Sequence, residues 1–270
     1  MRASLVIFAM SLAAMPAAAQ RGRLGTERQL SCDDRGFNQN RLVTHCEMRE
    51  QTVGFAGRLS IDAGTNGGVT VKGADRADVL VRAKVEAAAE DLPAAKGLAS
   101  QITLNVSAEQ IAAVGPEQDK RQSWSVSYEI FVPRQADLGV KAHNGGIAIA
   151  EIRGRIEFET MNGGVSLKRL AGDVEGHTMN GGLSIELAGD RWDGAKLDAR
   201  TMNGGINMTV PERYSAHLET STVNGNLNID FPMTVRGELG RRLSTDLGSG
   251  GSLIHVETTN GGVNLKRSAI

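Results

Sequence analysis

Four carboxylates and three thioethers recur at fixed offsets from a repeated tripeptide. Five residues before successive Asn-Gly-Gly copies stand Glu157, Glu175, Asp198 and Glu219, and one residue before them stand Met161, Met179, Met202 and Val223. If those copies stack, each offset becomes a column. Stacked acids can bind a cation or a basic partner, or flank a glycosidic bond, for which carboxyl groups about 5 to 9 Å apart are needed. They can equally be a solvated face whose repulsion is relieved by neighbours three residues before each Asn, a set that reads Glu159, His177, Arg200 and Ser221. A column of exposed Met is an apolar strip on a polar face, the kind of patch that marks partner contact. The same strip could instead lie beneath the N-terminal sheet or an insertion loop.

The remaining chemistry is sparse. Cys32 and Cys46 suggest one disulfide in an oxidising compartment, contributing about 3 kcal/mol in the chain-entropy model. A metal pair with His45 is the alternative, although the spacing lacks the Cys-x-x-Cys clustering of zinc sites. The five histidines show no ligand spacing along the chain, and His143 and His177 fall on outward phases. Gly248-Ser249-Gly250-Gly251 is not followed by Lys-Ser/Thr, so it is no phosphate loop. No catalytic residue, cofactor or metal site is assigned.

The elements that would position these residues are organised by the repeat itself. Asn144, Asn162, Asn180, Asn203, Asn224 and Asn260 each open a copy, with an outlier at Asn66. The intervals are 18, 18, 23, 21 and 36 residues. They suggest successive coils of one superhelix, with insertions near Gly189 to Asp193 and before Asn224, and a degenerate coil between Asn224 and Asn260. Steps of two back from each Asn reach Thr160, Phe158 and Ile156, or Thr258, Val256 and Ile254, which places Asn in phase with the inward residues. The six asparagines are therefore expected to form an internal hydrogen-bonded ladder. The two glycines are expected to turn a corner by adopting positive φ.

Upstream, Val79 to Ala87 and Trp124 to Val132 alternate apolar and polar residues, as half-buried strands do. Leu59, Ile61, Val69 and Val71 read as two short strands joined by a turn. The stretch Glu90 to Ser100 reads as a short helix. The fold expected is all-β: a right-handed parallel β-solenoid of about six to seven coils over 136–270, preceded over 51–135 by an antiparallel sheet with one helix near 90–100. A disulfide-stapled arm over 20–50 precedes both. Residues 1–19 read as a secretory signal, with a basic start, an apolar run and an Ala-x-Ala site. No later run approaches the roughly 20 apolar residues of a membrane helix. With 30 basic and 31 acidic residues, no net field points to nucleic acid or an anionic membrane.

Together, the early Cys pair followed by Glu47-Met48-Arg49-Glu50, the strand from Trp124 to Pro133 and the repeated Thr-x-Asn-Gly-Gly resemble the bacterial putative-adhesin domain family of unknown function, a relative of auto-transporter adhesin heads. The resemblance covers roughly residues 50 to 270 and implies a right-handed β-solenoid and no catalytic residue. A departure from auto-transporters is expected, since the sequence up to Ile270 shows neither a barrel nor a wall-anchor pattern. The functional expectation is a non-enzymatic protein of the periplasm or exterior that binds a protein or glycan. A carbohydrate-active enzyme on the same scaffold and a self-associating envelope protein, meeting through the end near Val263 to Leu265, are the alternatives.

Overall fold

A computed structural model describes residues 30–33, 42–230 and 240–268. The leader at 1–19 and most of the arm lie outside these residues. Alternating apolar residues set the strands in chain order. β1 (Val43–Gly54), β2 (Arg58–Asp62), β3 (Val69–Ala74) and β4 (Asp78–Ala89) precede helix α1 (Leu92–Gln101). Asp91 caps the helix by accepting a hydrogen bond from the Ala94 N–H, and Pro93 sits in its first turn. β5 (Thr103–Val106), β6 (Gln110–Val114) and β7 (Ser123–Pro133) follow. The repeat then supplies β8 (Asp137–Ala142), β9 (Ile147–Ala150), β10 (Arg153–Asn162), β11 (Val165–Lys168), β12 (Ala171–Asn180) and β13 (Leu183–Glu186). It continues through β14 (Lys196–Asn203), β15 (Ile206–Val210), β16 (Ala216–Asn224), β17 (Leu227–Ile229), β18 (Arg242–Leu247), β19 (Leu253–Asn260) and β20 (Val263–Arg267).

These strands alternate between two open sheets. One runs β1-β4-β7-β3-β9-β11-β13-β15-β20-β17 and the other β18-β16-β19-β14-β12-β10-β8-β2-β6-β5. Within the repeats every pairing is parallel except that of β18 with β16, so the architecture is solenoid-like: each copy sends one strand to each sheet, and the core lies between them. The rows of that core can be read across the stack. Leu138, Ile156, Val174, Leu197, Ile254 and Leu218 form one row, and Ile147, Val165, Leu183, Ile206 and Val263 form a facing one; all are buried. Volume is matched along rows, since Phe158 lies over Gly176, where an added Cβ would come within 2.6 Å of the ring. Each such aliphatic contributes roughly 1.5–3 kcal/mol on burial.

The corner differs from the expected one in three respects. The strands run on to the Asn, and Met161 and Asn162 are both exposed, so the chain leaves the inward phase one residue early. The asparagines do hydrogen-bond in a column: each Nδ2 of Asn144, Asn162, Asn180, Asn203, Asn260 and Asn224 donates to the Oδ1 of the neighbour before it in the stack, at 2.7–3.1 Å, starting from Asn66. That column is at the surface. The buried polar rung is Thr, because the hydroxyls of Thr160, Thr178, Thr201, Thr258 and Thr222 donate at 2.7–2.9 Å to the first-glycine carbonyl of the adjacent copy. Finally, Gly145, Gly163, Gly181 and Gly204 do not have positive φ. A Cβ on any of them would meet the neighbouring glycine carbonyl oxygen at 1.9–2.1 Å, so close backbone stacking, not left-handed geometry, is what requires glycine here.

Stack order is the larger correction. Among the described residues, the stretch between β17 and β19 supplies β18, an antiparallel partner of β16, and not the degenerate coil expected between Asn224 and Asn260. Instead β19 lies between β14 and β16, and β20 between β15 and β17. The end near Val263 to Leu265 is thus an interior level and not an exposed edge. A similar exchange occurs at the other end: β6 and β7 lie outside β2 and β3, while β8 and β9 lie inside them. Consequently the region expected to be an antiparallel cap also supplies parallel strands. β2 and β3 do not pair with each other, and the antiparallel part is β1-β4-β7 together with β5-β6. β1 begins within the stretch expected to be the arm, and the Cys32–Cys46 disulfide ties the described part of the arm to it.

The opposite corner carries charge. Glu151 and Arg169 hold φ of 60° and 51°, which side chains seldom adopt. An alternating ion column spans them: Asp75, Arg134, Glu151, Arg169 and Glu186 are linked at 2.6–2.9 Å. Hydrogen bonds from Arg134, then Arg169, hold the Glu151 carboxyl below its usual range. A depressed carboxylate contributes stability that is present above its unfolded pKa and lost as pH falls through the folded value. Glu151→Gln should therefore melt below the wild type at neutral pH. The difference should shrink as pH falls and Glu151 becomes protonated, and a difference that stays constant on acidification would contradict the linkage.

Candidate functional site

The outer face of the second sheet gathers the residues singled out by spacing. Glu157, Glu175 and Asp198 occupy one row on β10, β12 and β14, as the parallel register dictates. The row then continues through His255 of β19 before reaching Glu219 of β16, so the expected four-acid column is interrupted. Its charges are met locally. Lys196 lies 2.5 Å from Glu175, Arg58 lies 3.7 Å from Glu157, and Asp198 receives Arg200 at 2.8 Å and His255 at 3.0 Å. Burial pushes the Asp198 carboxyl up, but hydrogen bonds from Arg200 and His255 outweigh it and hold the group low. The carboxylates share one surface, with no facing wall, which argues against an acid/base pair astride a sugar.

The next row holds Lys141, Glu159, His177, Arg200, Glu257 and Ser221. Beyond it Met161, Met179 and Met202 are 40%, 39% and 50% exposed, with Val223 at 50%. The strip therefore does not lie under the N-terminal sheet. Thr259 breaks it between Met202 and Val223, again because β19 is inserted there. Two open depressions flank the strip. One of about 510 Å³ runs over His177, Met179, Asp198, Arg200 and Met202, and one of about 390 Å³ over Asp62, His143, Met161, His177 and Met179.

Two features escaped the sequence. His217 Nδ1 lies 2.7 Å from Asp246 Oδ1, and its Nε2 lies 3.3 Å from Ser244 Oγ, the spacing of a Ser-His-Asp triad. Only the antiparallel register of β16 and β18 creates it. The chemistry is unfavourable: Asp246, then Glu219, raise the imidazole pKa, and Glu219 lies 3.4 Å from the same Nε2 that would have to take the serine proton. Asp246, moreover, is well exposed. The second feature is a trough of about 650 Å³ on the outside of the other sheet, lined by Thr70, Ala148, Ser166, Ser184 and Asn207, with Leu30 against it. Its sequence signal was the small residue in Val-Ser-Leu and Leu-Ser-Ile. Among the described residues no cluster of three or more His, Cys, Asp or Glu is placed to hold a metal ion, and both cysteines are in the disulfide. No helix among them is long and apolar enough to cross a membrane.

Residues 157–266 match the model of the Toastrack DUF4097 family. Three solved structures resemble the chain, each aligned over 83% of its length. A "putative cell adhesion protein" from Clostridium sporogenes ATCC 15579 is 12% identical, with a TM-score of 0.45 and all of that chain covered. A "putative adhesin" from Bacteroides fragilis NCTC 9343 is 11% identical, with a TM-score of 0.36 and 97% covered. A "Putative lipid binding protein" from Parabacteroides distasonis ATCC 8503 is 11% identical, with a TM-score of 0.27 and 97% covered. No curated protein matches the sequence.

Proposed function

We propose that the chain is a non-enzymatic, exported adhesin-like module of the periplasm or cell exterior, which binds a protein or glycan through the outer face of its second sheet. In this reading the strand pairs are turns of a right-handed β-solenoid whose seven stacked asparagines mark seven coils. The observation that carries it is the exposed strip of Met161, Met179 and Met202, bordered by mixed charge. Met side chains adapt to varied apolar shapes, and a charged rim supplies orientation. The Toastrack match over 157–266 spans this face. The disulfide and the lack of a described membrane helix fit an exported protein.

The reading is tested by capture. The wild type and a Met161→Ser, Met179→Ser, Met202→Ser variant with unchanged circular dichroism are immobilised and offered envelope proteins and bacterial glycans. The wild type is expected to retain a partner that the variant loses. Equal capture by both would remove the strip from the function.

A further inference from the structure

The five histidines divide by their neighbours. His45 lies 3.5 Å from Glu47, His217 2.7 Å from Asp246 and His255 3.0 Å from Asp198, so each of these has a carboxylate beside it. Among the described residues, the exposed imidazoles of His143 and His177 enter no hydrogen bond or ion pair. Both open onto the same depression, and its other side chains include Met161 and Met179.

The topology accounts for this convergence. Pairing of Ala142 with Thr160, and the hydrogen bond that Asn162 Nδ2 donates to Asn144 Oδ1, set His143 beside Met161 on the next strand. Met179 follows one strand further on, between Thr178 and Asn180, and His177 lies two residues before it on the same face. Adjacent strands are about 4.8 Å apart and alternate residues on a strand about 6.6 Å. Two imidazoles and two flexible thioethers are therefore within reach of one ion. The carboxylates nearby have other work: Glu159 pairs with Lys141 at 3.4 Å, and Asp62 accepts the Gly64 N–H at 2.8 Å.

Thioether sulfur is a soft donor that calcium and magnesium disregard, whereas imidazole with thioether suits a soft monovalent ion. We propose that His143, Met161, His177 and Met179 form a binding site for Cu(I), for which Ag(I) is a redox-inert equivalent. Binding here is independent of macromolecular docking, although the two uses share Met161 and Met179. Neither cysteine offers a competing thiolate, since both are in the disulfide.

The test is titration of the intact chain with silver nitrate in chloride-free buffer, followed by competition for Cu(I) against a coloured Cu(I) chelator. The wild type should take up one equivalent of either ion. Met161→Leu with Met179→Leu keeps the strip apolar and the strand pattern intact, and should weaken binding about tenfold or more (1.4 kcal/mol for each factor of ten). His143→Gln with His177→Gln should do the same, and Met202→Leu should not. The histidine pair leaves the Met strip intact and should still capture any partner that the serine variant loses, which keeps the metal site and the docking face distinguishable. The proposal fails if the wild type binds no silver, or if the leucine pair binds it as tightly as the wild type.

Discussion

Gly163→Ala is expected to lose about 3 kcal/mol or more of stability, while Gly164→Ala, one residue along, stays within about 1 kcal/mol of the wild type. The two glycines look equivalent in the motif but have different neighbours. A Cβ on Gly163 would lie 2.1 Å from the Gly145 carbonyl oxygen and 2.5 Å from its carbon, and these are backbone atoms fixed by the strands on either side. On Gly164 it would lie 3.5 Å from the Gly182 oxygen, an ordinary contact, and its φ is not in the left-handed region. The chain already contains the second change, since the copy at Asn224 reads Asn-Gly-Asn and keeps only its first glycine. Thermal or urea midpoints of the two variants decide the point. At roughly 2–4 °C per kcal/mol, the first should melt about 6–12 °C lower. Equal midpoints would mean that the corner can spread, and that close backbone stacking does not explain the motif.

That contrast indicates what a repeat discloses. Period and alternation gave the strands of each copy, the helix near 90–100, realised as Leu92–Gln101, and the strand ending at Pro133. These are local properties, set by which residues can alternate or be capped. The inside-outside assignment at the corner differs because steps of two assume that the alternation persists to Asn162, whereas the strand reaches Asn162 with Met161 and Asn162 both exposed. The internal polar rung was in view as Thr160 and its counterparts, but a threonine in an inward phase looks like any β-branched strand residue until its carbonyl partner is known.

The candidate site was less legible because it depends on which copies are neighbours. A period says that strands are alike and is silent on whether a later one has been inserted between two earlier ones. Hence His255 interrupts Glu157, Glu175, Asp198 and Glu219, and Thr259 interrupts the Met strip. His143 and His177 are 34 residues apart by number, yet the register brings them to one depression. Spacing along the chain could not have indicated a shared ligand.

Insertion at the C-terminal end leads to the second large effect: a chain ending at Gly250 should lose protection in strands it still contains. In a solenoid stacked in chain order, removing the last copy would expose one edge and leave the Asn224 copy in place. Here β19 and β20 are the only described strands that join β16 and β17 to the rest of the two sheets, since β18 is an edge strand that pairs with β16. Their removal takes Ile254, Val256, Val263 and Leu265, all buried, from between the two levels. It also takes away the Gly261 carbonyl that accepts the Thr222 hydroxyl, and the Asn260 amide that bridges Asn203 to Asn224. Amide exchange in β16, β17 and β18 should accelerate about a thousandfold, roughly 4 kcal/mol at 1.4 kcal/mol per factor of ten, while β10 to β13 retain their protection. Adding the peptide 251–270 in trans should restore the slow exchange, because it supplies the level that joins β16 to β14 and β17 to β15. Protection that survives truncation in β16 would mean that the Asn224 copy can close directly onto β14, and that the inserted order is not needed to hold the end of the stack.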